Sequence, residues 1–130
     1  MSVPATKENI AQIFLAKIER KLQSMIDRGK VPLEDAQRIQ DIAVTSLNFF
    51  AKTDQTENRE AYEAGMEMAI DEIRASHPEI TDKDQDDLLV TFSSGLMHVI
   101  EANGDPSATR DRVALAWAGE RPGEEETLSL

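Results

Sequence analysis

The segment of residues 81–104 constrains the fold more than any other part of the chain. Behind an acidic start, its apolar residues recur at intervals of three and four, which is the period of one face of an α-helix. These residues are Leu88, Leu89, Phe92, Leu96, Val99 and Ile100. A strand over residues 88–92 ranks second, because the helical period continues beyond it. Since Val90 and Met97 lie off the apolar face, we predict a central helix with apolar contacts around much of its circumference.

The start of this segment resembles the start of a helix. Thr81 followed by Asp84 approximates a capping box, in which two side chains satisfy the first backbone amides. Four aspartates stand in the first turns, where the helix dipole favours negative charge; they are Asp82, Asp84, Asp86 and Asp87. Further along, Ser93, Ser94 and Gly95 are small enough to let a neighbouring helix approach closely.

Three further segments have the same period and predict helices over about residues 6–28, 33–52 and 57–76. Gly29 suits the position after the first helix, and Pro32 forces an extended step before the second. Asp54 or Thr56 is the predicted cap of the third helix, which ends at His77 and Pro78. Within that helix, Gly65 predicts a close-packing notch beside Met66.

A short fifth helix is predicted after Asp105 and Pro106, with a cap and a proline at its first position. Its apolar residues are Val113, Ala114 and Trp117, and Gly119 ends it. The fold class is therefore all-α: a four-helix bundle-like domain with a short fifth helix, spanning residues 1–119. Residues 120–130 are predicted to be a disordered, flexible acidic tail. Short connectors make successive helices antiparallel neighbours.

The composition limits the class of protein. A chain of 130 residues can form one domain with its own hydrophobic core. The absence of cysteine excludes disulfides, thiol catalysis and thiolate zinc sites. The first residues lack the apolar segment of a signal peptide, and no apolar run approaches the roughly 18 residues of a membrane span. We therefore expect a cytoplasmic protein with no membrane contact.

The negative charge is concentrated in the second half of the chain. The formal net charge at pH 7 is −11, of which residues 1–65 contribute −1 and residues 66–130 contribute −10. A field of this sign repels nucleic-acid phosphates, so direct nucleic-acid binding is not predicted. The same field accelerates encounter with a basic protein. Solubility alone is the commoner reason for acidity in a protein of this kind.

Three of the aspartates match part of an EF-hand calcium-binding loop. Asp82, Asp84 and Asp86 occupy the first, third and fifth positions of an EF-hand loop, but Asp87 replaces the required glycine and Ser93 the required glutamate. This excludes a sensor-type site. Weak divalent-cation binding at residues 82–87 is kept as an alternative function.

No pattern predicts catalysis. His98 and Glu101 are one turn apart, but the order found in di-iron bundles is reversed here and is not repeated. His77 is interpreted as a helix end. The serines at positions 93 and 94 lack the glycines of a nucleophile elbow. We predict no enzyme, no cofactor and no metal ligands.

These patterns predict a non-enzymatic protein-interaction module, of adaptor, chaperone or inhibitor type, that presents an acidic surface to a basic protein. The predicted partner-binding residues are Asp82, Asp84, Asp86 and Asp87, with Phe49 and Met68 at the apolar edges of their helices. Methionine at such an edge suits a groove for a partner helix. The other alternative is an oligomeric structural subunit that buries this Met/Phe edge in a homodimer.

Overall fold

The computed structural model describes residues 6–104, which form four α-helices and no strand. The helices are α1 (Lys7–Asp27), α2 (Leu33–Lys52), α3 (Arg59–Ser76) and α4 (Asp82–Gly104). The all-α prediction is confirmed for this part of the chain, and the strand alternative for residues 88–92 is wrong. The predicted fifth helix, the domain boundary at residue 119 and the acidic tail lie outside the described residues.

Local signals set both ends of α1, and Gly29 follows it as predicted. The Thr6 hydroxyl accepts a hydrogen bond from the Asn9 amide at 3.2 Å. At the other end Gly29 has a φ of +71°, a conformation that costs glycine little. The Lys30 amide then donates to the Met25 carbonyl at 2.9 Å, as in a Schellman motif. Carbonyls of the last turn are thereby satisfied.

The start of α3 differs from the prediction. Neither Asp54 nor Thr56 caps the helix, because α3 begins after Asn58. Asn58 has a φ of +72° and makes no side-chain capping bond. Asparagine is one of the few residues other than glycine that adopts the left-handed conformation readily. The residue therefore acts through its backbone, which a search for capping side chains does not detect.

The four helices enclose one hydrophobic core. α1, α2 and α4 pack against one another, and α3 packs on α2 and α4. Every helix contributes to the largest fully buried side chains, which include Ile10, Ile18, Met25, Ile39, Leu47, Phe50, Met66, Ile70, Leu88, Phe92 and Leu96. Burying a side chain of this size contributes about 2 kcal/mol. α1 and α3 flank the α2–α4 pair, so their outer sides face in different directions.

Two glycines that look alike in the sequence have different surroundings. A Cβ added at Gly95 would lie 2.9 Å from Phe14 Cβ and 3.1 Å from Leu47 Cδ2. This confirms the predicted close approach of neighbouring helices at that point of α4. A Cβ at Gly65 would meet no atom within 4 Å, so the predicted notch beside Met66 is wrong.

α4 packs through one broad face and not around its whole circumference. Leu88, Phe92 and Leu96 are buried, whereas Val90 and Met97 are exposed. The predicted apolar contact on more than one side is therefore wrong within the described chain. None of the four helices is long and apolar enough to cross a membrane.

Candidate partner-binding surface

Asp84 is the centre of a buried ionic network at one end of the bundle. Its side chain is only 5% exposed. Lys30 Nζ donates to Oδ2 at 2.7 Å, and Lys21 Nζ donates to Oδ1 at 2.9 Å. The network therefore joins α1, the loop that follows it and the first turn of α4.

Asp84 also completes the predicted capping box. The Thr81 amide donates to Asp84 Oδ2 at 2.9 Å, and the Asp84 amide donates to Thr81 Oγ1 at 3.1 Å. Burial alone opposes ionisation of the carboxyl group. The hydrogen bonds from Lys30, Thr81 and Lys21 outweigh burial and hold the pKa of Asp84 far below its ordinary value.

We expect this network to make the protein lose stability in acid. Burial also opposes ionisation of Asp87, but hydrogen bonds from Lys21 and Lys83 lower its pKa. A carboxyl group whose pKa is lowered by folding contributes stability above its unfolded pKa of about 3.9, and this contribution is lost as the pH falls through the folded value. The melting temperature should be nearly constant between about pH 5 and 8 and fall below about pH 4.

The Asp84→Asn variant is the control for this pH dependence. It cannot titrate at position 84, so its melting temperature should depend less on pH below about pH 4. If the melting temperatures of the two proteins fell in parallel below about pH 4, the acid loss of stability could not be assigned to Asp84.

At the alkaline end, burial lowers the pKa of Lys21, but its bonds to Asp84 and Asp87 outweigh burial and raise it. That contribution is present below about pH 10 and is lost as the pH rises further.

The other three aspartates of the predicted site differ in how far they are neutralised. Asp82 is exposed and accepts a bond from Arg74 at 2.9 Å. Asp87 is paired with Lys21 at 3.2 Å. Asp86 is exposed and has no ion-pair partner among residues 6–104. A partner-binding role for Asp84 is incompatible with its burial, because both of its oxygens are already bonded inside the protein.

The cation alternative gains no support from these contacts. No group of three or more histidine, aspartate or glutamate side chains in the described part of the chain is arranged to hold a metal ion. At Asp84, lysine ammonium groups occupy the positions that a cation would take. The two carboxylate oxygens of Asp84 are therefore unavailable to a metal.

Both histidines make contacts between elements of the bundle. His77 is the C-terminal cap of α3, as predicted, and its Nε2 lies 2.8 Å from Asp35 Oδ2 on α2. The His98 ring packs on Phe14 of α1 with 5.3 Å between ring centroids. His98 Nδ1 is 2.6 Å from the carbonyl oxygen of Ser94. The contact of His77 with Asp35 joins α3 to α2, and the contact of the His98 ring with Phe14 joins α4 to α1.

Phe49 and Met68 do not share one apolar edge. The Phe49 ring stacks on Tyr62 of α3, with centroids 5.7 Å apart. Met68 is 64% exposed and follows Tyr62 by six residues, which places the two about 120° apart around the helix. Phe49 is thus part of the α2–α3 contact, and Met68 projects from the outer side of α3.

The outer side of α3 carries acidic residues that the sequence analysis missed. We call it the outer α3 face, and it consists of the exposed residues Glu60, Ala64, Glu67, Met68 and Asp71. Glu60 and Glu67 have no ion-pair partner in residues 6–104, while Asp71 accepts a bond from Gln85 at 2.7 Å. These acids recur at helical spacing on the side of α3 opposite its apolar stripe, so the sequence does contain a signal for this face. The prediction instead placed the acidic surface at the denser run of residues 82–87.

Charge is polarised across the bundle. Residues 57–104 contain twelve Asp/Glu and three Lys/Arg, whereas residues 6–31 contain three and six. The net charges of these segments are −9 and +3. α1 and α3 flank the α2–α4 pair, so the acids of α3 lie away from α1, whereas the acidic start of α4 packs against the basic segment through Lys21 and Lys30.

No family model, curated protein or solved structure matches this chain. The candidate surface is accordingly defined by geometry and charge.

Proposed function

We propose that the protein is a non-enzymatic interaction module, of adaptor, chaperone or inhibitor type, that binds a basic protein through the outer α3 face. The observation that carries this proposal is that Glu60 and Glu67 have no ion-pair partner within residues 6–104 and lie on the same exposed side of α3 as Met68. Asp82 contacts Arg74 of α3, and Asp86 follows one turn later on α4, so these two aspartates extend the acidic surface.

The two kinds of residue have separate tasks in such an interface. Unpaired carboxylates attract a basic partner over a distance set by the Debye length and so raise the association rate. The exposed Met68 side chain adapts to the shape of an apolar residue on the partner and slows dissociation. Binding should therefore depend strongly on salt, and the charge and methionine variants should affect different rate constants.

An affinity capture with the full chain as bait tests the proposal. At about 0.1 M salt the wild-type protein should capture a basic protein, and at about 0.5 M the yield should fall sharply because the charges are screened. The Glu60→Lys/Glu67→Lys variant should slow association by about tenfold or more. Met68→Ala should mainly increase the dissociation rate.

Glu19→Lys/Glu34→Lys is the matched control, because it makes the same change of charge at exposed acids of α1 and α2. This control should keep most of the binding. Equal losses of binding in both double variants would show a nonspecific effect of net charge and would contradict binding through the outer α3 face. Capture of no basic protein at low salt would contradict the function itself.

A further inference from the structure

The outer side of α4 carries two large apolar side chains that no other described helix covers. Val90 is 63% exposed and Met97 is 36% exposed. Each stands two residues before a fully buried residue, which is about 200° around an α-helix, so both point away from the core. The small, half-buried side chains of Ser93 and Ser94 lie between them. We call these four residues the outer α4 face.

The two apolar residues of this face act together because they share one side of the helix. Seven residues turn an α-helix through about 700°, so Val90 and Met97 are only about 20° apart. In residues 6–104 no other pair of large exposed apolar side chains is arranged in this way. Leu33 and Phe49 are about 160° apart around α2, and Met68 is alone on α3. Two apolar anchors two turns apart are typical of a surface that receives another helix.

The chain itself contains a segment that fits this surface. Residues 105–119 lie outside the described residues, and the sequence predicts a helix there that starts with Asp105 and Pro106. Val113 and Trp117 are four residues apart, which places them on one side of that helix. Trp117 is the single tryptophan of the chain, and a side chain of this kind buries about 200 Å² when it is covered.

The contacts at the end of α4 leave its outer side open to this segment. The Asn103 side-chain amide donates to the carbonyl oxygens of Phe50 at 3.2 Å and Gln55 at 2.9 Å. The end of α2 and the α2–α3 connection therefore occupy the inner side of the last turn. A helix that begins at Pro106, after so short a connector, returns antiparallel to α4.

The lengths of the two segments bring their apolar residues level with each other. Counted from the turn at residues 104–106, Val113 and Met97 are each seven residues away, which is about 10 Å along a helix. Trp117 and Ser93 are each eleven residues away, which is about 16 Å. The tryptophan thus comes level with the small side chains of the outer α4 face, where a bulky ring has room.

We infer that residues 105–119 form a helix that docks on the outer α4 face of the same chain, with the Trp117 ring between Val90 and Met97. The contact removes from water the two apolar side chains that the other helices leave exposed on α4. The short connector gives the segment a high effective concentration at its own α4, which favours it over the same segment of a second molecule. This inference is independent of the proposed partner, because it concerns another helix.

The fluorescence of Trp117 in the full chain tests the inference. In the docked segment the emission should lie at shorter wavelength than in the urea-unfolded chain, and acrylamide should quench it several-fold less. Val90→Lys/Met97→Lys places two charges where the ring docks and should shift the emission to that of the unfolded chain. A cooperative urea transition followed by circular dichroism shows that the bundle of this variant is folded.

Matched variants locate the docking site. Leu33→Lys/Met68→Lys makes the same change at two exposed apolar residues of α2 and α3, and it should leave the emission unchanged. On the segment itself, Val113→Lys should release the tryptophan. Leu115→Lys is the control for that substitution, because Leu115 lies about 200° further around the predicted helix, and it should leave the emission unchanged.

Four results would overturn the inference. The first is a wild-type emission equal to that of the unfolded chain, because this would place Trp117 in water. The second is an emission that Val90→Lys/Met97→Lys leaves unchanged or alters no more than Leu33→Lys/Met68→Lys does. The third is an equal effect of Val113→Lys and Leu115→Lys. The fourth is a shift of the wild-type emission to longer wavelength on dilution, because this would place the segment on a second molecule.

Discussion

Replacing Asp84 with alanine should lower the free energy of unfolding by about 3 kcal/mol. The substitution removes the carboxylate that Lys21 and Lys30 share, so Lys30 loses its carboxylate partner and Lys21 keeps only Asp87. Loss of one partner of a buried ion pair costs about 3 to 5 kcal/mol. The two lysine side chains are 26% and 20% exposed, so water moderates the penalty and the lower end of that range applies. Loss of the capping box with Thr81 adds to it.

Urea denaturation followed by circular dichroism measures the loss in free energy of unfolding. In a thermal melt the melting temperature should fall by roughly 10 °C. Asp86→Ala is the matched control, since Asp86 is an exposed aspartate on the same turn of α4, and it should change the free energy of unfolding by less than about 0.5 kcal/mol. Equal effects of the two substitutions would show that the network does not hold α1 and α4 together.

Replacing Gly95 with valine should cost a similar amount, about 3 kcal/mol. A Cβ at this position lies 2.9 Å from Phe14 Cβ, an atom fixed to the backbone of α1, so the helices themselves must separate. The two methyl groups of valine extend further toward Phe14 and Leu47. The gain in helix propensity on removing a glycine, about 1 kcal/mol or less, does not offset this clash.

Alanine substitutions at the two helical glycines should change stability in opposite directions. At Gly65 an added Cβ meets no atom within 4 Å, so Gly65→Ala should stabilise the protein by about 0.5 to 1 kcal/mol. Gly95→Ala should destabilise it despite the same gain in propensity. Thermal melts of both variants under identical conditions measure the difference, and stabilisation by Gly95→Ala would contradict the close packing of α4 against α1 and α2.

These two predictions concern the same structural unit. The ionic network at Asp84 joins α4 to α1 near one end, and the absence of a side chain at Gly95 brings the two helices together further along. α2 shares this close contact through Leu47. α3 packs mainly on α2 and α4, so within residues 6–104 the outer α3 face is not covered by another helix. The candidate binding surface is therefore on the helix that is least enclosed by the others.

The positions of the helices could be predicted from the sequence because local interactions decide them. The period of apolar residues, Gly29 after α1 and Thr81 before α4 involve residues within about one turn of each other. Backbone hydrogen bonds of a helix have the same short range. The cap of α3 was missed because Asn58 acts through a left-handed backbone conformation, whereas Asp54 and Thr56 offered the usual side-chain oxygens.

The candidate site depended on the tertiary structure, because burial and pairing join residues that are distant in the chain. Asp84 and Asp86 belong to the same acidic run, yet one is bonded to lysines 54 and 63 residues away and the other faces water. Gly65 and Gly95 are distinguished only by the helices opposite them. A helical period shows which residues share a face, but the face that meets another helix is decided by the packing of the whole core.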